Sequence, residues 1–423
     1  MSKFLRHVMP IACMVTLFFS TANTSSAEDA ASSLVRASES GWPQWRGPRR
    51  DGISEEMGLL QSWPEDGPKL MWKVSGIGRG YSSPIVVDDS VYITGDQGDD
   101  LAIHSFSLDG SPGWETKNGA AWKRSFPGAR ASCAYDDGKL YHMNAQGRLV
   151  CLDAATGAES WAVNVLERFE AKNIMWGISE SVVVHEGHVY ATPAGAKGLM
   201  VALDKQTGDT AWASEPLADE SASYSSPILV DVGDRQLLVN GGAKYVFAVD
   251  ARSGELCWHL PQEDPKNTVN TTPVLLDDRL FFTNASRGGG AVFGVAFDEQ
   301  SAEKAWTKEL TISHGGVVGV DGHLVAASSR GIAKGWLAID AAQGTPQELG
   351  ELGGGSLIYA DRRFYCLTAR GTMTLQELTA DGFQTRGSFQ LANEKDVWAH
   401  PVICRGRLFL RCHETLFCYD IRH

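Results

Sequence analysis

Ala202-Leu203-Asp204-Lys205-Gln206-Thr207-Gly208-Asp209-Thr210-Ala211-Trp212 decides the fold, because close copies of it recur along the chain. One copy is Cys151-Leu152-Asp153-Ala154-Ala155-Thr156-Gly157 followed by Trp161. Another is Ala248-Val249-Asp250-Ala251-Arg252-Ser253-Gly254 followed by Trp258, and a looser one is Ala296-Phe297-Asp298 with Trp306. The phrase reads as strand, tight turn, strand. An apolar run ends at an Asp whose carboxylate can accept backbone N–H groups two or three residues on, and Gly supplies the positive φ that closes the turn. The Trp falls on the returning strand, where its face needs a neighbour to pack on. A lone hairpin cannot bury that surface; stacked repeats can.

Working outward, each copy ends a longer unit that opens on a small or hydroxyl residue and an apolar run. The aligned openings are Ser83, Ser132, Ser181, Ser226, Thr272, Gly316, Ser356 and His400, spaced by roughly 40–50 residues, as four-stranded propeller blades require. Units one, six and seven carry weaker copies. The last unit stops after Asp420 with three strands and no Trp strand, while Lys69–Val74, containing Trp72, has no partner of its own. The expected fold is therefore all-β: an eight-bladed β-propeller of four-stranded blades over residues 69–423, closed by the N-terminal strand completing the last blade. Closing the ring removes open sheet edges.

The regions before the ring read differently. Residues 1–27 have the form of a secretory signal, with Lys3 and Arg6, a short apolar core and small residues up to Ala27. Residues 28–40 read as a flexible tail. Residues 41–68 open with Trp42-Pro43-Gln44-Trp45-Arg46-Gly47-Pro48 and read as an extended strap laid on the propeller. The mature chain is expected to be periplasmic or secreted, monomeric and without a transmembrane segment. A formal net charge of −13 argues against nucleic acid as partner. The cysteines after Ala27 form no CxxC and no adjacent pair, and most lie in strand patterns, so they read as small buried hydrophobes. His185-Glu186-Gly187-His188 reads as a hairpin turn and not a zinc motif.

With these residues in view, the chain resembles the pyrroloquinoline quinone (PQQ)-like repeat propellers, whose blades carry Ala-x-Asp-x-x-Thr-Gly-x-x-x-Trp. The resemblance rests on the copies at Asp153, Asp204 and Asp250 and covers roughly Lys69 to His423. The Trp42–Pro48 stretch resembles a leader of exported bacterial members. The resemblance implies one of two roles. One is a non-catalytic scaffold of the BamB type, with a protein partner in the cell envelope or a small ligand at the channel mouth. The alternative is a PQQ-dependent oxidoreductase acting on alcohols or sugars, with quinone and calcium on the axis, a stacking Trp, a disulfide between adjacent cysteines and a catalytic Asp. This chain has no adjacent cysteines, and no Asp can be matched to the catalytic position, so the scaffold reading leads and no cofactor or metal is expected.

The register also nominates a site. Residues two positions before each opening should ring one mouth of the axial channel. They are Tyr81, Arg130, Ser179, Tyr224, Asn270, His314, Gly354 and Trp398, with Glu180 beside Ser179 as an added carboxylate. Aromatic, cationic and amide groups in one ring suit ligand orientation and stacking. The openings themselves, nearly all hydroxyls, read as ties between inner strands.

Overall fold

Each repeat folds as an antiparallel meander, innermost strand first. In the third unit the strands are Val183–His185, His188–Ala191, Val201–Asp204 and Thr210–Ala213, paired in that order. The computed structural model describes residues 41–262, 268–286, 288–350, 353–391 and 396–423. The signal and tail assigned to residues 1–40 lie outside them. Eight such sheets form an eight-bladed propeller, with inner strands beginning at Ile85, Ala134, Val183, Ile228, Val274, Val317, Gly355 and Val402. Lys69–Ser75 pairs antiparallel with Thr415–Asp420 as the outer strand of the eighth blade, so the N-terminal strand does close the ring.

The recurring phrase explains how one blade holds the next. Asp204 Oδ1 accepts the backbone N–H groups of Gln206 and Thr207, which fixes the turn. Gly208 then sits at φ 74°, and a Cβ there would stand 2.7 Å from the Trp161 ring of the preceding blade. Trp161 thus lies flat on a surface only glycine provides, and its Nε1–H donates to Lys205 O at 3.0 Å. Tyr141 donates to the same carbonyl at 3.1 Å. The contact repeats as Trp114 on Gly157 with Ala154 O, Trp212 on Gly254 with Ala251 O, and Trp306 on Gly344 with Ala341 O. At the closure Trp72 rests on Gly110 and donates to Leu108 O. The closing joint is chemically the same as the others.

Two departures from the repeat have visible consequences. The fifth blade shortens its turn to Asp298–Ser301 without Gly, and the indole N–H of Trp258, which faces it from the fourth blade, is buried with no hydrogen-bond partner among the described residues. Between the seventh and eighth blades the strap supplies the missing aromatic: Trp63 packs 5.8 Å from Tyr365 and 5.5 Å from Phe389. Six of the seven cysteines of the described residues are buried, as small apolar residues would be. The His185–His188 stretch forms a two-residue turn, with Glu186 at φ 43° and Gly187 at φ 92°.

Trp72 is only partly buried, so Trp72→Ala should cost about 2–4 kcal/mol, toward or below the low end of the range for a large-to-small aromatic change in a core. Gly208→Ala should cost about 1–3 kcal/mol by forcing Trp161 off its seat. Urea denaturation measures both; an unchanged midpoint for Trp72→Ala would contradict closure through this strand.

Candidate ligand site

The start of each inner strand faces the axis, and the hydroxyl positions there tie adjacent blades together. Ser132 donates its Oγ–H to Ser83 O at 2.8 Å and accepts from Ser83 N; Ser181 Oγ accepts from Ser132 N, and Ser226 Oγ from Ser181 N. Across the closure Ser83 donates to His400 O at 2.9 Å. A hydroxyl carries both a donor and an acceptor, so one small side chain joins two strands without filling the channel.

Further along the same strands the strap crosses the axis. Gly41–Trp42 pairs with Val86–Val87 of the first blade, and Ile53–Ser54 runs parallel to Tyr359–Ala360 of the seventh. Between these anchors Pro43 O accepts from Tyr135 N, and Arg50 donates to Ser181 O at 2.6 Å and Val182 O at 3.2 Å. Arg46 donates to Asp51 O at 2.7 Å, to Arg50 O and to Val317 O. Burial lowers both guanidinium pKa values, to about 10 for Arg46 and about 9 for Arg50, so both stay protonated at neutral pH. Backbone carbonyls solvate these buried cations in place of water. His400, its pKa pushed down to about 3 first by burial and then by Arg46, remains a neutral imidazole. Its Nε2–H donates to His314 O at 2.9 Å, which leaves Nδ1 facing Arg46 as the acceptor.

The strap turns the channel into a blind funnel of about 420 Å³. Trp45 and Arg46 form its floor beside His400. One wall is an arc of aromatic rings: Tyr224 lies 5.3 Å from Trp176, Trp176 6.3 Å from Phe126, and Phe126 5.2 Å from Trp398. Trp398 stacks in turn on His314 at 4.3 Å and on Tyr81 at 5.0 Å. The facing wall is polar, built from Asn270, Thr271, Ser286, Thr311, Ser313 and Ser329 with Arg330. Arg130 at the rim lies over the Trp122 ring at 5.2 Å and donates to Phe126 O at 2.7 Å. Ser179 donates to Tyr224 O.

Of the residues nominated from register, Tyr81, Arg130, Ser179, Tyr224, Asn270, His314 and Trp398 therefore line one cavity. Glu180 does not. Its side chain projects to the opposite side of the strand from Ser179, is 3% exposed, and accepts from Thr192 N. Alternation of side chains along an extended chain sends neighbours to opposite faces. Sequence reasoning missed Phe126 and Trp176, which sit on loops of irregular length, and Trp45 and Arg46, which lie outside the repeat. A signal for the last two existed: Gly316 and His400 break the hydroxyl ring at the place where the strap docks.

The fold and its repeat define a propeller of PQQ-like repeats. The chain belongs to the family described as outer membrane protein assembly factor BamB, whose model matches residues 99–348. It is 28% identical over 216 residues to quinohemoprotein alcohol dehydrogenase ADH-IIG of Pseudomonas putida, covering 47% of this chain and 29% of that protein. It is also 28% identical over 188 residues to outer membrane protein assembly factor BamB of Nitrosomonas eutropha, covering 43% and 39%. The matches thus span well under half of these relatives. Among solved structures, BamB from Moraxella catarrhalis superposes with a TM-score of 0.60 at 17% identity, covering 84% of this chain and 98% of that one. Quinohemoprotein alcohol dehydrogenase from Comamonas testosteroni gives 0.66 at 15%, covering 94% and 84%. At these identities the superpositions establish the fold.

Burial raises the Glu180 pKa to about 8, against 4.5 ordinarily, with Arg50 pulling the other way. Between these values the folded chain holds a proton that the unfolded chain releases, so this group makes stability fall as pH rises from about 4.5 to 8. Glu180→Gln, which can still accept from Thr192 N, should lose that slope: its urea midpoint relative to wild type should be higher at pH 8 than at pH 5. An equal difference at both pH values would contradict the assignment.

Proposed function

We propose that this chain is an exported, non-catalytic binding propeller of the cell envelope, which holds a ligand or a segment of a partner protein in its axial funnel. The observation that carries the reading is the composition of the funnel. Its described lining residues are aromatic, hydroxyl, amide, imidazole and guanidinium groups, with no carboxylate and no thiol. Such a surface can stack, hydrogen-bond and desolvate a guest, but it offers no activated nucleophile and no carboxylate base. Membership in the BamB family supports an envelope role of the scaffold kind. Among the described residues no helix is long and apolar enough to cross a membrane.

A second reading, a quinone-dependent oxidoreductase, is favoured by the quinohemoprotein alcohol dehydrogenases among the relatives and by the aromatic funnel on the axis. The residues present do not fit the cofactor's ion. Calcium takes six to eight oxygen ligands, with carboxylates prominent among them. The funnel instead presents Arg46 and Arg130, and no group of three or more His, Cys, Asp or Glu among the described residues could hold a metal.

Titrating the purified mature protein with PQQ and calcium separates the readings. The binding-propeller account expects no saturable change in the quinone absorbance and no quinone-dependent oxidation of alcohols or sugars. Affinity capture from envelope extract should recover a defined partner. Stoichiometric quinone binding with turnover would overturn the proposal.

A further inference from the structure

A second cavity, of about 450 Å³, lies away from the funnel. It sits at the far ends of the inner strands Val317–Val320 and Gly355–Ala360, between the sixth and seventh blades. Asp321 lines it from the sixth blade, Tyr359, Arg362 and Leu378 from the seventh, and Gln61 from the strap. We infer that this cleft is a binding site for a small zwitterion, an α-amino acid with an apolar side chain. The carboxylate of the ligand pairs with Arg362 and its ammonium group with Asp321.

The first observation is the backbone of Arg362. In five blades the turn after the inner strand has positive φ at both central residues. Four of these turns place glycine second: Gly138, Gly187, Gly322 and Gly406, at φ 76°, 92°, 73° and 66°. The seventh blade places Arg362 there instead, at φ 62°, where a Cβ is crowded and glycine is not. The strap holds the turn in this shape. Asp361, itself at φ 45°, accepts Leu59 N–H at 2.8 Å and Gln61 Nε2–H at 3.0 Å. The chain keeps a strain that glycine would remove, and what it gains is a guanidinium at the cleft.

The second observation is a pair of opposite charges left apart. Neighbouring Arg363 is already engaged: it donates to Arg362 O at 3.0 Å and lies 3.4 Å from Glu377, which also pairs with Arg386. The Arg362 guanidinium and the Asp321 carboxylate line the same cleft but form no ion pair with each other. Neither has a hydrogen-bond partner among the described residues. Tyr359 lies within reach of both charges, since burial raises its pKa, Asp321 adds to the rise and Arg362 opposes it. A guest of single charge meets one attraction and one repulsion here, whereas a guest carrying both charges satisfies both groups.

The third observation sets the side chain. Leu378 is 37% exposed at the cleft, and the Tyr359 ring packs on Phe364 at 4.7 Å. These groups offer apolar surface beside the two charges, which an aliphatic side chain would cover.

Isothermal titration of the full mature chain with L-leucine tests the inference. L-leucinamide lacks the carboxylate and N-acetyl-L-leucine lacks the ammonium group. L-leucine should bind saturably and about tenfold more tightly than either derivative. Arg362→Gly should abolish the preference over the amide, and Asp321→Asn the preference over the N-acetyl form, each weakening L-leucine about tenfold. Arg362→Gly should also keep or raise the urea midpoint, because glycine suits the turn; weakened binding there is then not loss of the fold. No saturable binding of L-leucine, equal binding of the three compounds, or wild-type affinity in either variant overturns the inference. Binding lost in Trp398→Ala but kept in Arg362→Gly would move the amino acid to the funnel and overturn it too. Failure here leaves the funnel reading intact, because the two cavities share no lining residue.

Discussion

An indole lying flat on the glycine of the next blade, with its N–H on a carbonyl of the same turn, is the contact on which this ring depends. It combines three requirements in one place. The turn needs a positive φ, the packing needs the absence of a Cβ, and the buried N–H needs an acceptor; Asp204–Gly208 meets all three for Trp161. Each blade cannot bury its own outer Trp and must use its neighbour, so the ring is built from nearest-neighbour joints. Trp72 on Gly110 extends the same joint across the chain ends. Where the turn loses its Gly, as at Asp298–Ser301, the facing Trp258 loses its acceptor.

Closure of the ring dictates the site. Eight inner strands converge on the axis, and Ser83, Ser132, Ser181 and Ser226 tie neighbouring strands by mutual hydrogen bonds while leaving the channel open. The strap then inserts two arginines into that axis. Their charge is solvated by Val317 O, Ser181 O and Val182 O, because the inner strands turn spare carbonyl lone pairs toward the channel. The result is a cavity open at one end, aromatic on one wall and polar on the other.

Much of this was legible in the sequence, for definite reasons. The Asp, Gly and Trp of the phrase encode a turn and a packing surface, both local, so the blades and their register could be read directly. Tyr81, His314 and Trp398 followed from register alone because they sit at equivalent positions just before the inner strands. Glu180 was misplaced because adjacency in sequence was allowed to override the two-residue period. Phe126 reaches the funnel from a loop residue at φ 55°, and Trp176 from a long connection; neither conformation has a periodic signature. Trp45 and Arg46 belong to a segment that does not repeat, and their placement rests on contacts with blades hundreds of residues away.

The central claim is that the strap is a fixed floor of the funnel and not a surface tail. Hydrogen exchange of its own amides tests this most directly. Gly47, Arg50 and Gly52 donate to Gln44 O, Gly47 O and Arg46 O within the axis. The account predicts that these three amides exchange only with global unfolding, at the rate of the Thr415–Asp420 and Ile85–Val87 strands. Exchange at the rate of an exposed loop, with those strands still protected, would contradict it.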